Sequence, residues 1–168
     1  MRTRIAILCI LVLGLALWPL TDRALAAPAP PFELPDLEGR ATRLTTLTAG
    51  GTVLLIFWTT ECVYCYAHIR DLNALQERYG ERGLQVVGIN IGGEPRQEVA
   101  LYAQENGVRY RLLVDPAANL DVAEAYRVPG TPTFVLVDRQ GELRYRGHRL
   151  AEVEARLPAL LEGGGGVP

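Results

Sequence analysis

Several things are scarce in this chain. There is no lysine; all 17 basic residues are arginine, a bias that carries no functional weight. Charge of either sign is in short supply as an excess, since the formal net charge is −2. A balance that close to neutral argues against a nucleic-acid or anionic-surface partner. Cysteine is rarer still, with 3 in 168 residues. Cys9 lies in an N-terminal apolar stretch, too early for a lipidation site, which leaves only Cys62 and Cys65. Two cysteines so close in sequence cannot staple distant elements as a structural disulfide framework would. They also cannot supply the four ligands of a structural zinc site, and the two histidines, His68 and His148, do not complete one. No metal or other cofactor is therefore expected. Long hydrophobic runs are absent too. The longest, Ile5 to Trp18, falls short of the roughly 20 residues of a spanning helix.

That run is preceded by Arg2 and Arg4 and followed by Ala24-Leu25-Ala26. A positive start, a short apolar centre and a small-x-small exit describe a secretory signal cleaved after Ala26, with an uncleaved membrane anchor as the alternative. Residues 1–26 are assigned to it, 27–31 to a Pro-rich linker, 32–162 to one domain and 163–168 to a flexible Gly-rich tail. With 49% hydrophobic residues the domain has enough apolar material for a real core.

Within the domain, Phe32 to Leu34 and Thr42 to Leu44 flank Asp36-Leu37-Glu38-Gly39 and predict a small hairpin. Val53 to Trp58 is a continuous apolar run of strand length, expected of a strand buried on both faces. Helical spacing through Ile69, Leu72, Leu75 and Tyr79 predicts one helix over Cys62 to Tyr79. Strands follow at Leu84 to Ile91, Arg111 to Val114, Thr133 to Val137 and Leu143 to Arg146. Helices are expected at Arg96 to Asn106, Leu120 to Tyr126 and Ala151 to Leu161. This alternation, closed by a hairpin, predicts an α/β domain with a mixed central sheet flanked by helices.

The chemistry concentrates at Cys62-Val63-Tyr64-Cys65, placed where the buried strand gives way to a helix. Such a pair closes to a disulfide or opens to a dithiol, and exchange needs an accessible attacking thiol with a second thiol near enough to resolve it. Cys62, nearer the helix start and its amides, is read as the nucleophile, and Cys65, further inward, as the resolving thiol. Thr131-Pro132 is the second part: a cis Pro132 would set the Thr131 backbone beside the sulfurs, where an extended substrate could pair with it. The alternative for Pro132 is a plain turn before a strand. Trp58 is expected as a wall shielding the disulfide, and Val63 and Tyr64 as part of the substrate platform. His68 is read as a partly exposed helix residue or a tuner of the thiols. His148, among Arg139, Arg144, Arg146 and Arg149, is read as lying on a solvated strand face.

Trp58 to Cys65 together with Gly130 to Phe134 resemble the thioredoxin superfamily. The lead Pro31 to Gly39, with Leu44 to Leu47, Val87 to Ile91 and Val114-Asp115, resembles its exported TlpA/ResA branch. The resemblance spans Pro31 to Leu161 and implies a thioredoxin-like fold with an N-terminal β-hairpin extension. It also implies an extracytoplasmic, periplasmic disulfide reductase serving exported Cys proteins, as in cytochrome c maturation, recharged by a membrane electron-donor thiol reductase. It further implies a carboxylate near the cysteines, and Glu94 in Ile91-Gly92-Gly93-Glu94-Pro95 resembles that position with an extra glycine; the rival reading is a solvated Glu before a helix. Two departures stand out. Glu61 replaces the Trp usual before the first cysteine, and no Pro follows Cys65, so a less kinked helix is expected. Direction depends on thiolate stabilisation. Val63 and Tyr64 bring no positive charge and Glu61 brings a negative one, features that favour a reductant over an oxidant. Two other functions fit part of the pattern. A thiol peroxidase lacks its Thr-x-x-Cys here, and a copper metallochaperone would use Cys62, Cys65 and a histidine.

Overall fold

The computed structural model describes residues 27–115 and 120–162. The expected signal segment and Gly-rich tail lie outside the described residues. Among the described residues no helix is long and apolar enough to cross a membrane.

The apolar run of the sequence becomes β4 (Thr52–Trp58), buried at every position. It stands at the centre because each strand edge is satisfied: β5 (Leu84–Asn90) pairs with it in parallel and β7 (Thr133–Val137) antiparallel. Beyond them β6 (Arg111–Val114) adds in parallel to β5, and β8 (Glu142–Gly147) antiparallel to β7. The last edge is β1 (Ala27–Pro28), paired with Leu143 and Glu142 of β8. The sheet order is β1-β8-β7-β4-β5-β6, and β2 (Glu33–Pro35) and β3 (Ala41–Arg43) form a separate hairpin.

Side chains alternate across a strand, so β4 feeds two cores. Leu54, Ile56 and Trp58 face α3 (Ile69–Tyr79), through Leu72 and Leu75, and α4 (Arg96–Glu105), through Val99 and Ala103. The same core takes Val153 of α6 (Leu150–Glu154) and Leu157 of α7 (Leu157–Glu162). Val53, Leu55 and Phe57 face the hairpin, α1 (Leu44–Gly50) and Tyr126, which follows α5 (Asp121–Ala125). Each fully buried aliphatic or Phe side chain contributes about 1.5–3 kcal/mol. Truncating Phe57, which also packs on the Tyr126 ring at 5.4 Å, removes more from the fold than any surface change. Tyr126 in turn donates from its hydroxyl to the Pro30 carbonyl at 2.8 Å. That bond and the β1 pairing lay the Pro-rich lead, read as a linker, along the sheet edge.

Two local expectations are corrected, and one helix was not anticipated. The helix predicted over Cys62 to Tyr79 is two helices, α2 (Val63–Ala67) and α3, broken at His68 although no proline is present. The turn tightens there: the His68 N–H bonds the Cys65 carbonyl three residues back, and α3 restarts with Leu72 N–H on the His68 carbonyl. The final helix also divides, because Pro158 has no N–H to continue the ladder from α6 and sits instead in the first turn of α7. Finally, the Thr-rich segment after β3 is helical. Leu44, Leu47 and Thr48 fall on one buried face, and the Thr48 hydroxyl is satisfied by the Leu44 carbonyl at 3.2 Å.

Candidate active site

The site lies at the C-terminal end of β4. The chain leaves Trp58, turns through Thr59 to Glu61, and enters α2 with Cys62 as its N-cap. Cys62 and Cys65 are joined in a disulfide with Cα atoms 5.2 Å apart. The Cys62 sulfur accepts the Cys65 N–H at 3.1 Å, a helix-start amide aimed at the atom that would carry charge after reduction. Cys65 is 6% exposed, whereas Cys62 is only partly buried. One sulfur is reachable and the other is not.

Behind Cys65 lies a cavity of about 10 Å³, the space of a single water at most, walled by Trp58, His68, Tyr110, Pro132 and Phe134. Trp58 is 5% exposed, so it backs the disulfide from inside and is not part of the outer surface. Its ring packs on Tyr102 at 5.2 Å. His68 meets Phe134 edge-on at 5.4 Å, so it turns inward to the cavity and is no simple surface residue. Burial pushes the Tyr102 and Tyr110 hydroxyls above the usual tyrosine range, so both stay protonated at neutral pH. Around the rim Val63 and Tyr64 stand 75% and 76% exposed, with Tyr66 beside them at 57%. A soluble surface rarely leaves such side chains together without a use for them.

The Thr131–Pro132 peptide bond is cis, and Pro132 reaches the cavity. The Thr133 hydroxyl donates to the Gly130 carbonyl at 2.6 Å. Neither the N–H nor the C=O of Thr131 has a partner among the described residues.

Glu94 reaches the same loop, but by a route the sequence did not suggest. Its Oε1 accepts both the N–H of Thr60, at 2.8 Å, and the Thr60 hydroxyl. Its Oε2 is buried with no partner among the described residues. Gly92 permits this fold-back, because a Cβ there would stand 2.0 Å from that oxygen. Burial opposes ionisation, yet the Thr60 hydroxyl and amide, Glu94's own N–H and the nearby Asn90 amide outweigh it and hold the carboxyl below its usual range. The Asn90 amide acts from beyond hydrogen-bond distance, since both its polar atoms are buried without a bonded partner. Glu94 is thus half-buried and tied to the cysteine loop through Thr60. It bonds neither sulfur, which in a disulfide have no proton to donate.

Sequence reasoning missed two residues. Thr60 carries no signal beyond its place two residues before Cys62. His148 is exposed, as read, and its Nδ1 also lies 2.7 Å from the Pro132 carbonyl. Its signal was the register: Gly147 pairs with Phe134, so the next residue falls beside the Thr131-Pro132-Thr133 turn. Among the described residues no three His, Cys, Asp or Glu side chains cluster to hold a metal.

A mixed sheet that ends in a half-exposed Cys-x-x-Cys disulfide facing a cis proline defines a thioredoxin-like thiol–disulfide oxidoreductase. Residues 25–146 match the AhpC/TSA family, and the chain belongs to it. It is 34% identical over 149 residues to the thiol-disulfide oxidoreductase ResA of Geobacillus thermodenitrificans, covering 86% of this chain and 83% of that one. It is 33% identical over 132 residues to the thiol:disulfide interchange protein DsbE of Escherichia coli K12, covering 76% and 66%. A crystal structure assigned as the DsbE interchange protein of Chlorobium tepidum superposes with a TM-score of 0.72 at 28% identity, over 81% of this chain and 96% of that one.

Proposed function

We propose that this oxidoreductase is an extracytoplasmic protein disulfide reductase. Cys62, as thiolate, attacks one sulfur of a client disulfide; a Cys62–client bond forms and the client's other sulfur leaves and takes up a proton. Cys65 then loses its proton and attacks Cys62. The mixed bond breaks, the client's second thiol is released, and the Cys62–Cys65 ring carries away the oxidising equivalent. A membrane thiol reductase returns two electrons and two protons to reopen it. The observation that carries this reading is the asymmetry of the two sulfurs, one reachable and one buried.

In this reading Thr131 pairs its open backbone with an extended client beside Pro132, Val63 and Tyr64 form the platform it rests on, and Trp58 closes the inner wall. Glu94 is assigned the proton of Cys65, through Oε2. Held ionised, it is a weak base that passes the proton on to solvent. Export is supported by the signal-like residues 1–26 and by the family resemblance, whose members serve apocytochromes and other exported Cys proteins. Reductant over oxidant is supported by the uncharged Val63-Tyr64 pair and the exposed Glu61. Peroxidase chemistry gains nothing from Thr60, which is occupied with Glu94. The decisive experiment expresses Cys65→Ser in the native host and identifies the proteins trapped on Cys62. Clients with reducible cysteines are expected. A measured potential near the roughly −120 mV of the strongest oxidants of this fold would overturn the direction.

A further inference from the structure

The Thr131 edge is useful to a client only if it is held still, and the hydrogen bonds of the turn divide that task. Thr133 fixes the start of the turn through Gly130. The middle is fixed from another element, at the corner that follows β8. There the Tyr145 hydroxyl, on a 9% exposed side chain, bridges back to residue 149: it lies 3.2 Å from the Arg149 carbonyl and 3.4 Å from the Arg149 N–H. This closes the corner tightly, and it requires glycine at 147, where a Cβ would stand 2.4 Å from the Tyr145 hydroxyl oxygen. The corner turns the residue between them, His148, toward the proline turn. A carbonyl oxygen can only accept, so Nδ1 carries the proton and donates to Pro132 O at 2.7 Å. In the neutral ring that choice leaves Nε2 bare.

We infer that His148 is a positioning residue for client binding: its Nδ1–H pins the Pro132 carbonyl and so holds the unpartnered Thr131 backbone in place for an extended client segment. The inference rests on the disulfide-exchange reading above and adds to it a residue from outside the two motifs. His148 bonds the Pro132 carbonyl and neither cysteine, so its effect falls on binding and not on bond exchange.

The test compares two substrates, a disulfide-linked peptide and dithiobis(nitrobenzoate), which has no backbone to pair. His148→Ala is expected to raise the peptide KM about fivefold, the order expected for one lost hydrogen bond. Peptide kcat and the rate with the small disulfide should each change less than about twofold on the same grounds. His148→Asn, whose Nδ2 stands where Nδ1 stood, should return the KM to within about twofold of the parent. If the Ala variant fails to fold, His148→Leu and His148→Asn carry the comparison, since they share a shape and differ in the donor. A peptide KM unchanged in the Ala or Leu variant overturns the inference. So does an Asn variant as impaired as those, or equal losses with both substrates. Failure of the parent chain to turn over either substrate overturns the functional reading itself and the inference with it.

Discussion

Two turns outside the cysteine loop use carboxylates very differently from that loop. Asp36 and Asp138 open Asp-x-x-Gly turns of one design. Asp36 Oδ1 accepts the N–H groups of Glu38 and Arg40, at 3.0 and 2.8 Å, while Oδ2 takes the Arg40 guanidinium. Asp138 Oδ1 accepts those of Gln140 and Glu142, both at 2.9 Å, while Oδ2 takes Arg144. Every acceptor oxygen has a donor. At the site end of the sheet, Trp58 Nε1, both polar atoms of Asn90 and Glu94 Oε2 are buried and unpartnered. Unspent hydrogen-bonding capacity costs stability. Glu142 Oε2, beside the Asp138 turn, is buried without a partner as well, so the contrast holds for the two Asp carboxylates and not for everything around them.

The contrast can be broken in order of effect. Cys62→Ser should reduce exchange to background in an assay of reduced protein against a client disulfide, with a melting curve close to that of the reduced parent. Next, Asp138→Ala should cost about 3 kcal/mol in denaturant unfolding, because it strands two amides and a half-buried guanidinium at once. Glu94→Gln should slow exchange by roughly tenfold, less than the ~10²–10⁴ usual for general acid–base catalysis because Glu94 is a weak base, and shift its pH profile. An unaltered profile would remove Glu94 from the proton path. The smallest effect has the opposite sign: Asn90→Leu, which deletes unpaired buried polar atoms, should leave stability within about 1 kcal/mol or raise it. A large loss there would mean that Asn90 is satisfied like the two Asp residues.

Acid separates the regions as well. At Asp36, burial opposes ionisation, but the Arg40 amide and guanidinium and the Glu38 amide prevail and hold the carboxyl below its usual range. A carboxyl lowered in the folded state adds stability that is complete above the ordinary value of about 4 and is lost as pH falls through the lowered one. Asp36→Asn should therefore be less stable than the parent at neutral pH, where the ionised carboxyl contributes fully, and should flatten the loss of stability below about pH 4 in a urea titration.

Strands β4 to β7 were legible because continuous apolar runs bounded by Gly, Pro and Asp admit few other readings. The Cys-x-x-Cys pair and the Thr-Pro were legible because their spacing is local. What escaped depends on contacts across the sheet. The break at His68 has no proline to announce it, and the helix at Leu44–Gly50 hides in threonines that favour strands. Thr60 meets Glu94 across 34 residues and His148 meets Pro132 across 16. Such pairs follow only from the register of β4 with β5 and of β7 with β8.

The inaccessibility of Cys65 has a kinetic consequence. Whatever refills the ring with electrons must enter by the same sulfur that the client has just vacated, so donor and recipient cannot occupy the protein together. Turnover then alternates between them, double-reciprocal plots at several donor concentrations run parallel, and each visitor inhibits the other when in excess.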